Sequence, residues 1–233
     1  MELPRNYASF RIEVRPSPET NDHQVLLFAD DVDLIDSLDD TMIGMDPDEV
    51  FSSDRPLHAT TEPHIATIAR CGCGYAGCDS CDVEIVRRDN LVEWRHAISS
   101  GRTIVISFPS ADYDRELERA ASDQSWETPD RTAARLFLSL APPQELRKLG
   151  LTVLWAGGRT RENTFTVSLI LNPGPYQLLV HLPWADESPE TIAARAHQLL
   201  TKSPSEWYDV EWFGQVPGLA RPSIVRAGWK QRR

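Results

Sequence analysis

All four cysteines of this 233-residue chain fall within eleven positions, in the run CGCGYAGCDSC. Cys71, Cys73, Cys78 and Cys81 follow the spacing C-x-C-x4-C-x2-C. Four thiolates at about 2.3 Å from one ion make a closed tetrahedral zinc site. The ion itself keeps the thiols deprotonated. Gly72, Gly74 and Gly77 lie between the cysteines, and glycine permits the tight reversal that turns sulfurs inward. Alternate residues on a strand share a face, which sets Cys71 beside Cys73. The prediction is a zinc knuckle with all four cysteines as ligands and no open position for hydrolytic chemistry. Structural zinc sites usually draw ligands in pairs from two elbows, whereas here one loop supplies them all. His64, or else His58 or His96, is therefore a candidate substitute for one cysteine in a three-Cys, one-His set.

Two other readings of the same run stay open. One is a tight glycine turn carrying free thiols. The other is an iron–sulfur centre. The stretch CGYAGCDSC, with small Ala76 in its first interval, resembles the cluster loop of plant-type two-iron ferredoxins, and CDVEIV resembles the strand after that loop. The resemblance implies an electron carrier. The chain departs from that family in having no cysteine after Cys81 to serve as the downstream fourth ligand, and in placing Asp79 at a small-residue position. A wider resemblance runs over residues 60–140. RCGCGYAGC leading into LVEW, then SWETPDRTAARL, is similar to a bacterial protein family with a Cys-x-Cys-Gly-x-x-Gly-Cys turn and a helix start of this kind. No activity is known for that family. The resemblance implies a shared domain, and it implies that Cys71, Cys73 and Cys78 matter more than Cys81.

The cysteines need a frame. HIATIARC alternates and is β-branched, so it predicts a strand leading into them, and DVEIVRRDNLVEWRHA predicts two strands around a turn at Arg87–Asn90. ASFRIEVRP, QVLLFAD and RTIVISFP are further strands, and PSPETND is a loop. The middle of the chain changes period. ADYDRELERAASDQS is an amphipathic helix, and a second begins at Thr128 as N-cap with Pro129 first; Ala133, Leu136, Phe137 and Leu140 share its core face. PPQELRKLG is a third. Then come the strands LTVLWAG, NTFTVSLIL and YQLLVHLPW, separated by Gly157-Gly158 and Asn172–Pro175, a helix capped by Ser188, and a last strand in EWYDVEWFGQV. Short turns between strands favour antiparallel sheets, so the expected class is α+β, with the knuckle between two strands and a central helical segment. The expected parts are a strand-rich 1–110 and a 111–233 of helices, strands and a helix, as two domains or one continuous one.

Charge is uneven. The net charge is −11, and residues 1–62 account for all of it, with 15 acids against 4 arginines. Eight aspartates fall between Asp30 and Asp48, but a calcium loop counted from Asp31 lacks the glycine and glutamate it needs at Asp36 and Met42. Val32, Ile35 and Leu38 instead mark a short helix with carboxylates outside, and Asp46 caps another that starts at Pro47. An acidic surface around Asp31, Asp33 and Asp36 suits a basic protein partner, as in an immunity-type inhibitor that caps a toxin or nuclease. A nucleic-acid partner is not expected, because that role calls for a basic face and only the short tail is basic. Trp207 and Trp212, two of seven tryptophans, are candidates for a second partner-binding edge. No run reaches the roughly 18 apolar residues of a membrane span, and no secretory signal opens the chain. A reducing cytoplasm is the expected compartment, where thiols stay free or bind metal. No phosphate loop, dinucleotide fingerprint or G-x-S-x-G elbow is present, and no catalytic residue is assigned. The expectation is an interaction protein with a structural zinc; an iron–sulfur carrier or an enzyme is the alternative.

Overall fold

Strands form where apolar residues alternate, as in β-branched HIATIARC and LVEWRHA, or run together, as in TFTVSLIL. A computed structural model describes residues 2–17, 23–52, 54–73, 78–98, 101–158, 161–172, 174–214, 216, 218 and 220–232. Gly74, Ala76 and Gly77 of the cysteine turn, residues 18–22 of the first loop, and Pro173 lie outside the described residues. Both helices and mainly antiparallel sheets are present, so the class is α+β. The chain divides into two units, 1–126 and 127–233. The division falls beyond the expected residue 110, because the helix after it belongs to the first unit.

The first unit runs β1 (Glu2–Asn6), β2 (Phe10–Pro16), β3 (His23–Ala29), β4 (Val32–Asp33), α1 (Leu34–Leu38), β5 (Met42–Gly44), α2 (Pro47–Val50), β6 (His64–Cys71), β7 (Ser80–Arg88), β8 (Leu91–Ala97), β9 (Thr103–Pro109) and α3 (Ser110–Ser122). One sheet has the order β1-β9-β8-β7-β6-β5, with β1 parallel to β9 and the other pairs antiparallel; β2, β3 and β4 form a second. Left-handed Asp89 (φ 52°) makes the β7–β8 hairpin turn.

The core between these elements is aromatic. Phe10 stacks on Tyr113 with centroids 4.6 Å apart, and Trp94 meets Phe108 edge-on at 5.6 Å. Trp94 Nε1 donates to the Tyr113 hydroxyl at 3.2 Å, which donates to the Leu57 carbonyl at 2.6 Å. These buried polar atoms are thus satisfied in series. α3 is tied to β2 by polar contacts: Glu116 Oε1 accepts from the Ile12 N–H at 2.7 Å, and Arg119 donates to the Ile12 carbonyl at 2.7 Å. Side chains of α3 thereby cover exposed backbone of β2.

The second unit runs α4 (Pro129–Ser139), α5 (Gln144–Lys148), β10 (Leu151–Gly157), β11 (Thr164–Leu171), β12 (Tyr176–Pro183), α6 (Pro189–Leu200), a 3-10 turn (Pro204–Glu206), β13 (Val210–Gly214) and β14 (Lys230–Gln231). Its sheet has the order β10-β11-β12-β13-β14. Phe165, Val167 and Leu169 of β11 join Leu178, Val180 and Leu182 of β12, Ala133 and Phe137 of α4, and Ile192 and Ala196 of α6 in one core. Leu140, expected in it, is 39% exposed. The helix has ended at Ser139, and Leu140 is its extended C-cap. Pro189 opens α6 with Ser188 as cap, as the sequence predicts. No helix among the described residues is long and apolar enough to cross a membrane.

Candidate metal centre

β6 and β7 form a hairpin whose connecting turn carries the cysteines. The last ladder pair is Arg70 with Ser80, and the Cys71 N–H then donates to the Asp79 carbonyl at 2.9 Å, closing the turn. On its other side Cys71 pairs with Met42 of β5, so the base of the turn is held from both sides. Cys71 is half-buried, and Cys73 and Cys78 are exposed. Their three sulfurs all lie within 4.8 Å of one another, and among the described residues no other His, Cys, Asp or Glu joins this group.

These distances fit one ion. Around zinc, with bonds of about 2.3 Å, tetrahedral sulfurs stand roughly 3.8 Å apart, so the trio needs a contraction of no more than about 1 Å. The thiols already interact. The backbone N–H of Cys73, followed by the Cys73 and Cys78 thiols, holds Cys71 below the usual thiol range, against opposition from burial and Asp79. The hydrogen bond to Cys71, and then its charge, pushes Cys78 up to about 11. A cation can replace these mutual effects by binding all three sulfurs as thiolates.

Cys81 is not one of the trio. It is 3% exposed and belongs to the core of the first unit. On β7, Cys81, Val83 and Ile85 alternate inward, so the period that buries the strand buries this thiol with it. Its sulfur lies 3.8 Å from His96 Nδ1, which donates to the Asp82 carbonyl at 2.9 Å. Burial pushes the Cys81 thiol up to about 11, with Asp39, Asp82 and Asp79 adding to the effect. Among the described residues the group that could hold an ion is therefore Cys71, Cys73 and Cys78, against the four ligands expected. The alternation C-x-V-x-I is the sequence signal that distinguishes Cys81, and the expectation of four ligands did not use it.

The histidine substitutes are also placed elsewhere. His64 opens β6, pairs with Ile85 and donates from Nε2 to the Pro56 carbonyl at 2.9 Å, seven residues from Cys71 along the strand. His58 lies in the loop before β6, beside a cleft of about 280 Å³ that also takes in Arg55, Asp114 and Glu118. Asp114 there is paired with Arg87 at 2.6 Å, a structural use of the carboxylate. His181 is a buried sheet histidine in the second unit, its Nδ1 2.9 Å from the Thr166 hydroxyl and its Nε2 3.7 Å from Glu211 Oε2.

The remaining candidates divide. Asp31 and Asp36 are exposed. Asp33 is the N-cap of α1, accepting from the Ile35 and Asp36 N–H groups at 2.9 and 3.2 Å, so its carboxylate serves the fold. Trp207 and Trp212 are 4% and 5% exposed in the core of the second unit, and Trp207 stacks on Trp229 at 6.0 Å. This corrects the expectation of a partner-binding edge there: period-two burial on β13 takes Trp212 inward with Val210. No protein-family model, curated protein or solved structure matches the chain.

Proposed function

We propose that the protein binds one zinc ion through Cys71, Cys73 and Cys78 and acts as an interaction module, with the metal fixing the exposed tip of the β6–β7 hairpin. One observation carries this reading: three sulfurs within 4.8 Å of one another at a surface turn. Thiolates of this kind select zinc among the abundant hard and borderline cations. A ferredoxin-type centre calls for four thiolates, and the core position of Cys81 supports zinc over iron–sulfur. The exposed Asp31 and Asp36 favour a basic protein as partner. Elemental analysis tests the metal. About one zinc per chain is expected, kept in Cys81→Ser and lost in Cys71→Ser, Cys73→Ser or Cys78→Ser. Metal-free protein from a zinc-replete preparation without chelator, or loss confined to Cys81→Ser, would sink the reading.

A further inference from the structure

Three ligands do not fill a zinc ion. A structural site presents four protein donors, while a site with three keeps its last position for something external. Among the described residues no fourth His, Cys, Asp or Glu reaches the group formed by Cys71, Cys73 and Cys78. Cys73 and Cys78 are exposed, so among the described residues the remaining position faces solvent. The nature of the missing donor follows from charge. Three thiolates on a divalent cation leave the centre with a net negative charge. Asp79 adjoins Cys78 in the turn and is exposed, and its Oδ1 accepts from the Ser80 N–H at 2.9 Å, which holds the carboxylate at the turn. Asp39 and Asp82 lie close enough to act on the neighbouring Cys81 thiol. Another anionic ligand would be repelled by the centre's own charge and by Asp79, and a neutral donor would not.

We propose that the zinc centre is an open three-thiolate site whose fourth ligand is a neutral imidazole supplied from outside the chain, a histidine of the bound partner. The proposal rests on the metal reading above and names its partner chemistry. The metal then becomes part of the interface: the partner's histidine completes the tetrahedron and leaves the turn locked in its bound form. A basic, histidine-bearing surface is the matching occupant, since the same acidic surroundings that disfavour a second anion attract a cationic one.

Cobalt(II), which reports its ligands through visible and near-ultraviolet absorption, provides the test. The full chain is loaded with cobalt and titrated separately with imidazole and with 2-mercaptoethanol. The expected spectrum before addition is that of three thiolates, unchanged in Cys81→Ser. Imidazole should shift the visible bands saturably and bind at least about tenfold more tightly than the thiol, the equivalent of one like-charge contact near the surface. A starting spectrum with four thiolates that Cys81→Ser reduces would overturn the open site. Indifference to imidazole would do the same, and tighter binding of 2-mercaptoethanol would overturn the donor class. A chain that takes up no cobalt would refute the metal reading itself, which separates the two failures.

Discussion

Cys81→Ala and Cys73→Ser should have opposite signatures. Cys81 is buried beside Val83, Ile85 and Ala69 in the first unit, so removing its sulfur takes one heavy atom from a packed core. The comparable loss of one buried methyl group costs about 1 kcal/mol. In a unit of this size that lowers the melting temperature by roughly 3–5 °C. Cys73 is exposed, and its substitution should leave the metal-free stability within about 0.5 kcal/mol. Zinc reverses the order. At a free concentration about a hundredfold above its dissociation constant, a ligand of the native state adds about 2.7 kcal/mol, or roughly 8–13 °C. Wild type and Cys81→Ala should both gain this increment, and Cys73→Ser should gain none. Thermal denaturation followed by circular dichroism, in buffered zinc and again in chelator, reads both quantities on the same samples. A zinc increment abolished by Cys81→Ala or kept by Cys73→Ser would refute the division of the cysteines into one core residue and three ligands.

Three other perturbations test the frame. Tyr113→Phe leaves the Trp94 N–H and the Leu57 carbonyl buried without their shared partner, so urea denaturation should show a loss of about 1–3 kcal/mol. Glu116 is pushed up by burial, but its bonds from Arg119 and the Ile12 N–H outweigh this and hold its carboxyl below the usual range. Its contribution is therefore complete above the unfolded value near about 4.3 and disappears as pH falls through the lower folded value. The melting-temperature gap between wild type and Glu116→Gln should be wide at neutral pH and close under acid conditions; a gap that widens on acidification would contradict the pairing. Asp33→Ala removes the cap of α1 and should cost about 0.5–2 kcal/mol, whereas Asp31→Asn and Asp36→Asn should leave the chemical denaturation midpoint in place.

Much of the fold is legible because burial and local period agree. β7 and β8 alternate, Pro47 and Pro189 stand at helix starts behind Asp46 and Ser188, and the expected strands of both units form. What escapes local reading depends on distant partners. β1 contains Pro4 and is not among the expected strands, yet it pairs in parallel with β9, about a hundred residues along the chain. An edge strand tolerates proline because one side of it need not donate. α3 has the pattern of any surface helix, and only distant partners assign it to the first unit: Tyr113 packs on Phe10 in its aromatic core, and Glu116 and Arg119 bind the Ile12 backbone. The candidate site was half legible. Spacing and glycines mark the turn, but the sulfur count at the site depends on where β7 begins its inward alternation. The same ambiguity governs Trp207 and Trp212, whose residue type suits either a core or an interface.

The first unit has a core that does not depend on the cysteine turn, and this bears on what a metal there can do. The aromatic group of Phe10, Trp94, Phe108 and Tyr113 and the ladders of β6 to β9 supply the burial that small metal-dependent domains lack. Cys71 is the one member of the trio within a strand, while Cys73 and Cys78 lie beyond the final ladder pair. Removing the ion should therefore release the tip and spare the sheet. Chelation is expected to leave the far-ultraviolet circular dichroism and the fluorescence of buried Trp94 unchanged. Amide exchange should speed up in the turn, with the Cys71 N–H, bonded to the Asp79 carbonyl, at the boundary between the two regimes. If chelation instead unfolded the unit, the metal would be a foundation of the fold and the separation of core from site would be wrong. If exchange at the tip did not respond, the ion would not be ordering the turn, and an interface role for it would lose its physical basis.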